Sequence, residues 1–108
     1  GTPTAARSVA GVLWQLVEHP EVSGIHHWTD AGVASWYDFA VAIAEEGVVC
    51  GLLPRDVTVA PISTAEYPTP ARRPAFSVLD RGSLAALGAV PVHWRENLRT
   101  VLREMHRA

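Results

Sequence analysis

The fold of this 108-residue chain is decided by the stretch Ser35-Trp36-Tyr37-Asp38-Phe39-Ala40. A serine followed three residues later by an acid has the form of a capping box, which opens a helix. Apolar residues then recur at helical spacing and predict a buried stripe, formed by Trp36, Phe39, Ala40, Ile43 and Ala44. We therefore expect a helix that begins at Ser35 and whose apolar stripe ends at residues 45–47. In this helix we expect Trp36 to pack against the core and Asp38 to cap the first turn.

The segments before this helix predict one further helix and one strand. Over residues 2–19 a single apolar stripe indicates an amphipathic helix, and its members are Val9, Val12, Leu13, Leu16 and Val17. Thr2 or Thr4 can cap this helix, Pro3 suits its first turn, and Pro20 ends it. Residues 24–29 then predict a short strand, and residues 30–32 a turn.

The segments after the central helix alternate extended and helical patterns. Residues 55–62 predict a second strand, residues 63–74 a loop stiffened by prolines, and residues 76–79 an extended or buried segment. A short helix capped by Asp80 is expected to stop at Gly88. A final helix over residues 92–106 should bury Trp94, Leu98, Val101, Leu102 and Met105 and expose Arg95, Arg99, Arg103 and Arg107.

These elements predict one small domain over residues 1–108. Its expected fold class is α/β, or α+β-like when isolated, with about four helices and two or three short strands. Such a chain has too few strands to build a nucleotide-binding sheet of its own.

Composition excludes several classes of function. All nine basic residues are Arg and the formal net charge is −2, which argues against a nucleic-acid partner and excludes any lysine-dependent chemistry. The single cysteine, Cys50, requires no oxidising compartment, and no apolar run is long enough to span a membrane. His26 and His27 are expected on opposite faces of a strand, so no metal site is predicted. We expect a soluble, cytoplasmic protein.

The sequence has no site for a dinucleotide cofactor. Its eight glycines do not form Gly-x-Gly-x-x-Gly, and neither Tyr37 nor Tyr67 is followed four residues later by lysine. We therefore expect no bound cofactor and no catalytic residue in this chain.

Arg72 and Arg73 are the strongest candidates for ligand binding. They are adjacent and stand between Pro70 and Pro74, so two guanidinium forks are held on a stiff loop, which suits a diphosphate or paired carboxylates. From the residues alone, these side chains could equally be solvated, or could pin the loop to nearby carbonyl groups.

Four blocks in this order resemble the carboxy-terminal part of the dTDP-4-dehydrorhamnose reductases, which are extended short-chain dehydrogenase/reductases. The blocks are residues 1–4 (GTPT), 24–27 (GIHH), 35–40 (SWYDFA) and 67–80 (YPTPARRPAFSVLD). The resemblance implies a substrate-binding domain that takes a dTDP-sugar. It also implies that an amino-terminal Rossmann domain, absent here, supplies the NADPH site and the catalytic residues, in cis or in trans.

The resemblance also implies a set of substrate-binding residues. Thr2, Pro3 and Thr4 match a loop near the sugar-nucleotide pocket, and Arg72 and Arg73 match a loop that approaches the diphosphate. Tyr67 supports the loop or lines the pocket, or else it packs against Trp36 or Phe76. Because the chain begins at Gly1, in what looks like the start of a helix, we expect a fragment of a longer protein, and homodimerisation is left open.

A second interpretation is a non-catalytic interaction module. The regulatory subunit of methionine adenosyltransferase is similar to the same family and acts by binding a partner enzyme. Under this interpretation the apolar excess of the chain, 48% of its residues, serves a protein interface.

Overall fold

Four helices and one short 3-10 turn make up the regular structure of the described part of the chain. The computed structural model describes residues 1–55 and 57–108. It contains α1 (Ala6–Glu18), α2 (Trp36–Val49), a 3-10 turn (Thr64–Glu66), α3 (Gly82–Ala85) and α4 (Trp94–Arg107). The helices stand where the sequence predicts helices, although α1 begins four residues later and α3 is shorter than expected.

The predicted α/β class and its two or three strands are wrong. Within the described residues the β-type pairing is limited to an isolated parallel bridge between Ala31 and His93. Residues 24–29, 57–62 and 76–79 have no regular structure, and Asp56, inside the second predicted strand, lies outside the described residues. A strand needs a neighbouring strand to satisfy its backbone, and these segments have none within this part of the chain. The domain is helical.

The capping box that opens α2 is confirmed. The Asp38 backbone N–H donates to Ser35 Oγ at 3.0 Å, and the Ser35 N–H donates back to Asp38 Oδ2 at 2.8 Å. The hydrogen bond that the Ser35 backbone N–H donates to the carboxylate is the main reason that the pKa of the Asp38 carboxyl lies below its ordinary value. The helix start is therefore encoded locally, while its end at Val49 lies beyond the Gly47 at which we expected the stripe to close.

The main apolar cluster lies between α2 and α4. Its buried members are Ala34, Ala42, Trp94, Leu98 and Leu102, with Phe39, Cys50 and Leu52 packed against them. Burial of Trp94, Leu98 and Leu102 confirms the prediction for α4, but Val101 and Met105 are exposed. The predicted stripe of α2 is wrong at Ile43, which is at the surface, and at Trp36, which is 84% exposed.

A second apolar cluster lies between α1 and α3. Val12, Leu84 and Ala89 are buried there, and Leu16, Trp28 and Leu87 pack against them. The rest of the predicted α1 stripe is exposed, namely Val9, Leu13 and Val17. The four-residue α3 is too short to cover more than a narrow edge of α1.

Charged side chains join α2 to α4 beside the main cluster. Glu46 accepts from Arg95 Nε at 3.1 Å and from Arg99 Nε at 3.0 Å, and Arg95 also binds Glu45. The Arg99 hydrogen bond is the main reason that the pKa of Glu46 lies below its ordinary value. The hydrogen bond to Glu45 is likewise the main reason that the pKa of Arg95 lies above its ordinary value.

Residues 60–77 form an exposed arm. Every residue of this segment is exposed, and Thr64–Glu66 is its one regular turn. The radius of gyration is 16.4 Å, against about 13 Å for a compact domain of this length. The arm therefore lies at the surface, outside both apolar clusters, and it is a loop, as the proline-rich sequence predicts.

Candidate functional site

Asp30 organises the end of the molecule that holds the predicted binding residues 2–4. It is 1% exposed and lies in the loop before α2. Its Oδ2 accepts from the Ala5 backbone N–H at 2.9 Å and from Asn97 Nδ2 at 2.8 Å, and its Oδ1 accepts from the Ser8 hydroxyl. One carboxylate thus caps α1 and joins it to α4. The sequence pattern did not predict this role for Asp30.

Arg81 fixes the same loop from the side of α3. One of its guanidinium nitrogens donates to the Asp30 carbonyl at 2.8 Å and to the Thr29 carbonyl at 3.2 Å. The loop holding Asp30 is therefore anchored to α1, α3 and α4 at once.

Residues 1–4 lie against this loop and are ordered by it. Thr2 Oγ1 donates to the Gly32 carbonyl at 2.7 Å, and Thr4 Oγ1 accepts from the Asp30 backbone N–H at 3.3 Å. Thr4 Oγ1 also donates to the Thr2 carbonyl at 3.0 Å. The threonines thus shape an extended segment, and the capping role that we expected for one of them belongs to Asp30.

Gly1 connects residues 1–4 to the base of the arm, which is Ser77. The Gly1 carbonyl accepts from the Ala34 backbone N–H at 2.9 Å, which places it beside the start of α2. A Cβ built on Gly1 would lie 3.1 Å from Ser77 Oγ, so the last residue of the arm touches the first residue of the chain. Residues 1–4 and the base of the arm, two segments that hold or adjoin predicted binding residues, therefore meet beside the start of α2.

The predicted residues on the arm are solvent-exposed. Arg72 and Arg73 are exposed, and neither forms a hydrogen bond or salt bridge to another described residue. Tyr67 is 70% exposed, and none of the aromatic pairs found in residues 1–55 and 57–108 joins it to Trp36 or Phe76. Arg73 is four residues from Ser77, which places its Cα within about 14 Å of the Ser77 Cα.

Two open grooves of the surface lie elsewhere. One, of about 280 Å³, is lined by residues of α2 and α4, and the other, of about 340 Å³, runs between α1 and residues 89–92. Arg72 and Arg73 line neither of them. Within the described ranges, no three His, Cys, Asp or Glu side chains are grouped closely enough to hold a metal ion. None of the described helices has the length and apolar character needed to cross a membrane.

Comparison with known proteins identifies the family. The sequence model of the family described as "RmlD substrate binding domain" matches residues 1–107. The chain belongs to this substrate-binding domain family. The match covers the helices, the arm and the segment at residues 1–4 together.

Individual relatives of this RmlD-type domain are larger polysaccharide and sugar-nucleotide proteins. The chain is 39% identical to the "Spore coat polysaccharide biosynthesis protein SpsK" of Bacillus subtilis, over 96% of this chain and 34% of that protein. It is 40% identical to a dTDP-4-dehydrorhamnose reductase of Aggregatibacter actinomycetemcomitans, over 94% and 36% respectively. A "Probable dTDP-4,6-dihydroxy-2-methyloxan-3-one 4-ketoreductase" of Streptomyces antibioticus is 38% identical, over 92% and 32%. The RmlD-type domain therefore spans about a third of the length of these curated relatives.

Proposed function

We propose that this chain is the dTDP-sugar-binding part of a dTDP-4-dehydrorhamnose reductase that acts in dTDP-L-rhamnose biosynthesis. Membership of the RmlD substrate-binding family and the names of its relatives support this proposal. The observation that carries it is the meeting of Gly1, Ala34 and Ser77, because it places the base of the arginine-bearing arm beside residues 2–4.

The roles of the individual residues follow from their chemistry. Arg72 and Arg73 grip the diphosphate, since guanidinium groups bind phosphate oxygens through paired charge-assisted hydrogen bonds. Thr2, Pro3 and Thr4 form the wall against which the ligand lies, and Tyr67 contacts the ligand from the arm.

Redox chemistry belongs to polypeptide outside these 108 residues. The residues present do not fit NADPH, because the sequence has no glycine-rich dinucleotide turn and the described residues form no sheet on which such a turn could stand. In the proposed enzyme a Rossmann domain, in cis or in trans, binds NADPH and completes the pocket around the arm. The chain by itself is a binding domain of a cytoplasmic enzyme.

Calorimetric titration with dTDP tests the binding role. Wild type should bind, and Arg72→Ala and Arg73→Ala should each weaken the affinity about ten-fold or more, the loss expected for a charge-assisted hydrogen bond. Arg103→Ala removes the same charge from an exposed position of α4 and should leave the affinity unchanged. Equal losses in all three variants would show a nonspecific charge effect and overturn the assignment of the arm.

Two further results separate this proposal from an interaction module. No binding of dTDP would favour the module, for which the exposed apolar residues of α1 would form the interface. NADPH oxidation by the isolated chain with the 4-keto sugar nucleotide would contradict the proposal that the redox chemistry requires a separate Rossmann domain.

A further inference from the structure

Trp36 is exposed far beyond what its place in the sequence predicts. Its side chain is at the first position of α2, and 84% of the residue is accessible to solvent. An indole ring gains much of its stabilising energy from burial, and a tryptophan left in water is typical of a surface that binds something.

The backbone and one edge of the ring are nevertheless held in place. The capping box of Ser35 and Asp38 fixes the backbone on both sides of Trp36. Its ring centroid lies 6.3 Å from that of Phe39, which in turn packs edge-on against the buried Trp94 at 6.1 Å. The indole is therefore a supported platform with most of its surface open to a partner.

The position of this platform is next to the proposed binding segment. Trp36 is two residues from Ala34, so their Cα atoms are within about 7 Å of each other, and Ala34 donates its N–H to the Gly1 carbonyl. Ser77, at the base of the arm, lies against Gly1. The exposed aromatic ring therefore lies close to residues 1–4 and to the base of the arm that carries the two arginines.

We propose that Trp36 stacks on the planar nucleobase of the sugar nucleotide. This inference rests on the proposed function and adds the recognition of the base to the grip on the diphosphate. The chemistry is complementary, since the base offers a flat, poorly hydrated π-face and the arm offers cations for the phosphates. Stacking of this kind is tolerant of base identity, so we expect Trp36 to raise affinity for thymidine and uridine nucleotides alike.

Tryptophan fluorescence and calorimetry test the inference in the same protein. dTDP should quench part of the emission of the four tryptophans, and Trp36→Phe should remove that quenching. Trp36→Ala should weaken dTDP binding about ten-fold or more, whereas Trp36→Phe, which keeps an aromatic face, should retain most of the affinity. An unchanged circular dichroism spectrum for both variants shows that α2 remains folded.

Trp14→Phe provides the matched control. Trp14 is also exposed, at 67%, but it lies on α1, about 12 Å along the helix axis from Ala6. Substitution there should leave both the quenching and the affinity unchanged.

The possible failures are distinguishable. If Arg72→Ala and Arg73→Ala weaken dTDP binding but Trp36→Ala does not, the stacking role is wrong and the proposed function stands. That result is also expected if the indole is instead covered by other polypeptide. If wild type does not bind dTDP, both the proposed function and the stacking role are overturned.

Discussion

The Asp30 carboxylate accepts a hydrogen bond at 2.9 Å from the backbone N–H of Ala5, a residue 25 positions earlier in the chain. Helix α1 is thus capped from a distant loop, since Ala5 has no side chain that could do it. The same loop orders Thr2 and Thr4 through the Gly32 carbonyl and the Asp30 backbone N–H, so the stability of the helix and the shape of the proposed binding segment depend on one loop.

Replacing Asp30 should therefore destabilise the domain strongly. Asp30→Ala leaves the partners on Ala5, Ser8 and Asn97 without their acceptor, and we expect a loss of about 3 kcal/mol in the free energy of unfolding. Urea denaturation followed by circular dichroism measures it. Asp80→Ala removes an exposed carboxylate that accepts one bond, from the Gly82 N–H at 2.7 Å, and should cost only about 0.5–1 kcal/mol. Equal losses would contradict the central role of Asp30.

Two glycines with similar backbone angles should respond differently to substitution. Gly32 and Gly24 have φ of +88° and +91°, so alanine is strained at both by about 1–2 kcal/mol. At Gly32 the added Cβ would also lie 2.6 Å from His93 Nε2 and 2.9 Å from Trp94 Cδ1, whereas at Gly24 it meets nothing within 4 Å. Gly32→Ala should thus lower the melting temperature clearly more than Gly24→Ala. Similar shifts in melting temperature for the two variants would show that the His93 side chain moves aside without a measurable loss of stability.

Glu46 should make the stability of the α2–α4 pair depend on pH. Its pKa in the folded protein lies below the ordinary value of 4.5, chiefly because of the Arg99 hydrogen bond. The stabilisation is therefore complete above pH 4.5 and is lost as the pH falls through the folded-state pKa. At pH 7, Glu46→Gln should cost about 1 kcal/mol in the free energy of unfolding, and the difference from wild type should shrink below pH 4.5.

The control for this experiment is the neighbouring Glu45→Gln. Glu45 is 53% exposed in its side chain and binds Arg95 alone, so its loss should cost no more than a few tenths of a kcal/mol. If the stability of the Glu46→Gln variant depends on pH in the same way as that of wild type, the pH dependence comes from another group.

Leu84 should be the most sensitive residue of the second apolar cluster. It is 2% exposed and packs with Val12 and Ala89. Leu84→Ala should lower the free energy of unfolding by about 2–4 kcal/mol through lost burial and the cavity that remains. Leu13→Ala makes the same change at a residue that is 56% exposed, and it should cost less than about 1 kcal/mol. Chemical denaturation of the two variants measures the contrast, and the reverse order would refute the assignment of the cluster.

The sequence predicts those features of the fold that are encoded within a few residues. The Ser35–Asp38 capping box marks the start of α2, and the apolar spacing of Trp94, Leu98 and Leu102 marks the buried face of α4. The predicted strands fail because alternation indicates an extended segment but does not supply the partner strand that a sheet requires.

Long-range interactions explain the remaining differences between the predicted and the observed structure. Nothing local to Asp30 indicates that it caps α1, because capping is predicted from residues adjacent to a helix. The exposure of Trp36 was missed for a similar reason, since its helical position places it in the apolar stripe although no described element of the chain covers it. The arm was predicted as a stiff loop, but its contact with Gly1 joins residues 76 positions apart, and no spacing rule predicts that contact.

The two apolar clusters share no buried residue within the described part of the chain, and Asp30 and Asn97 connect them through a polar contact. We therefore expect the α1–α3 cluster to open locally while α2 and α4 stay packed, with the Arg81 and Asp30 hydrogen bonds as the contacts that oppose this opening.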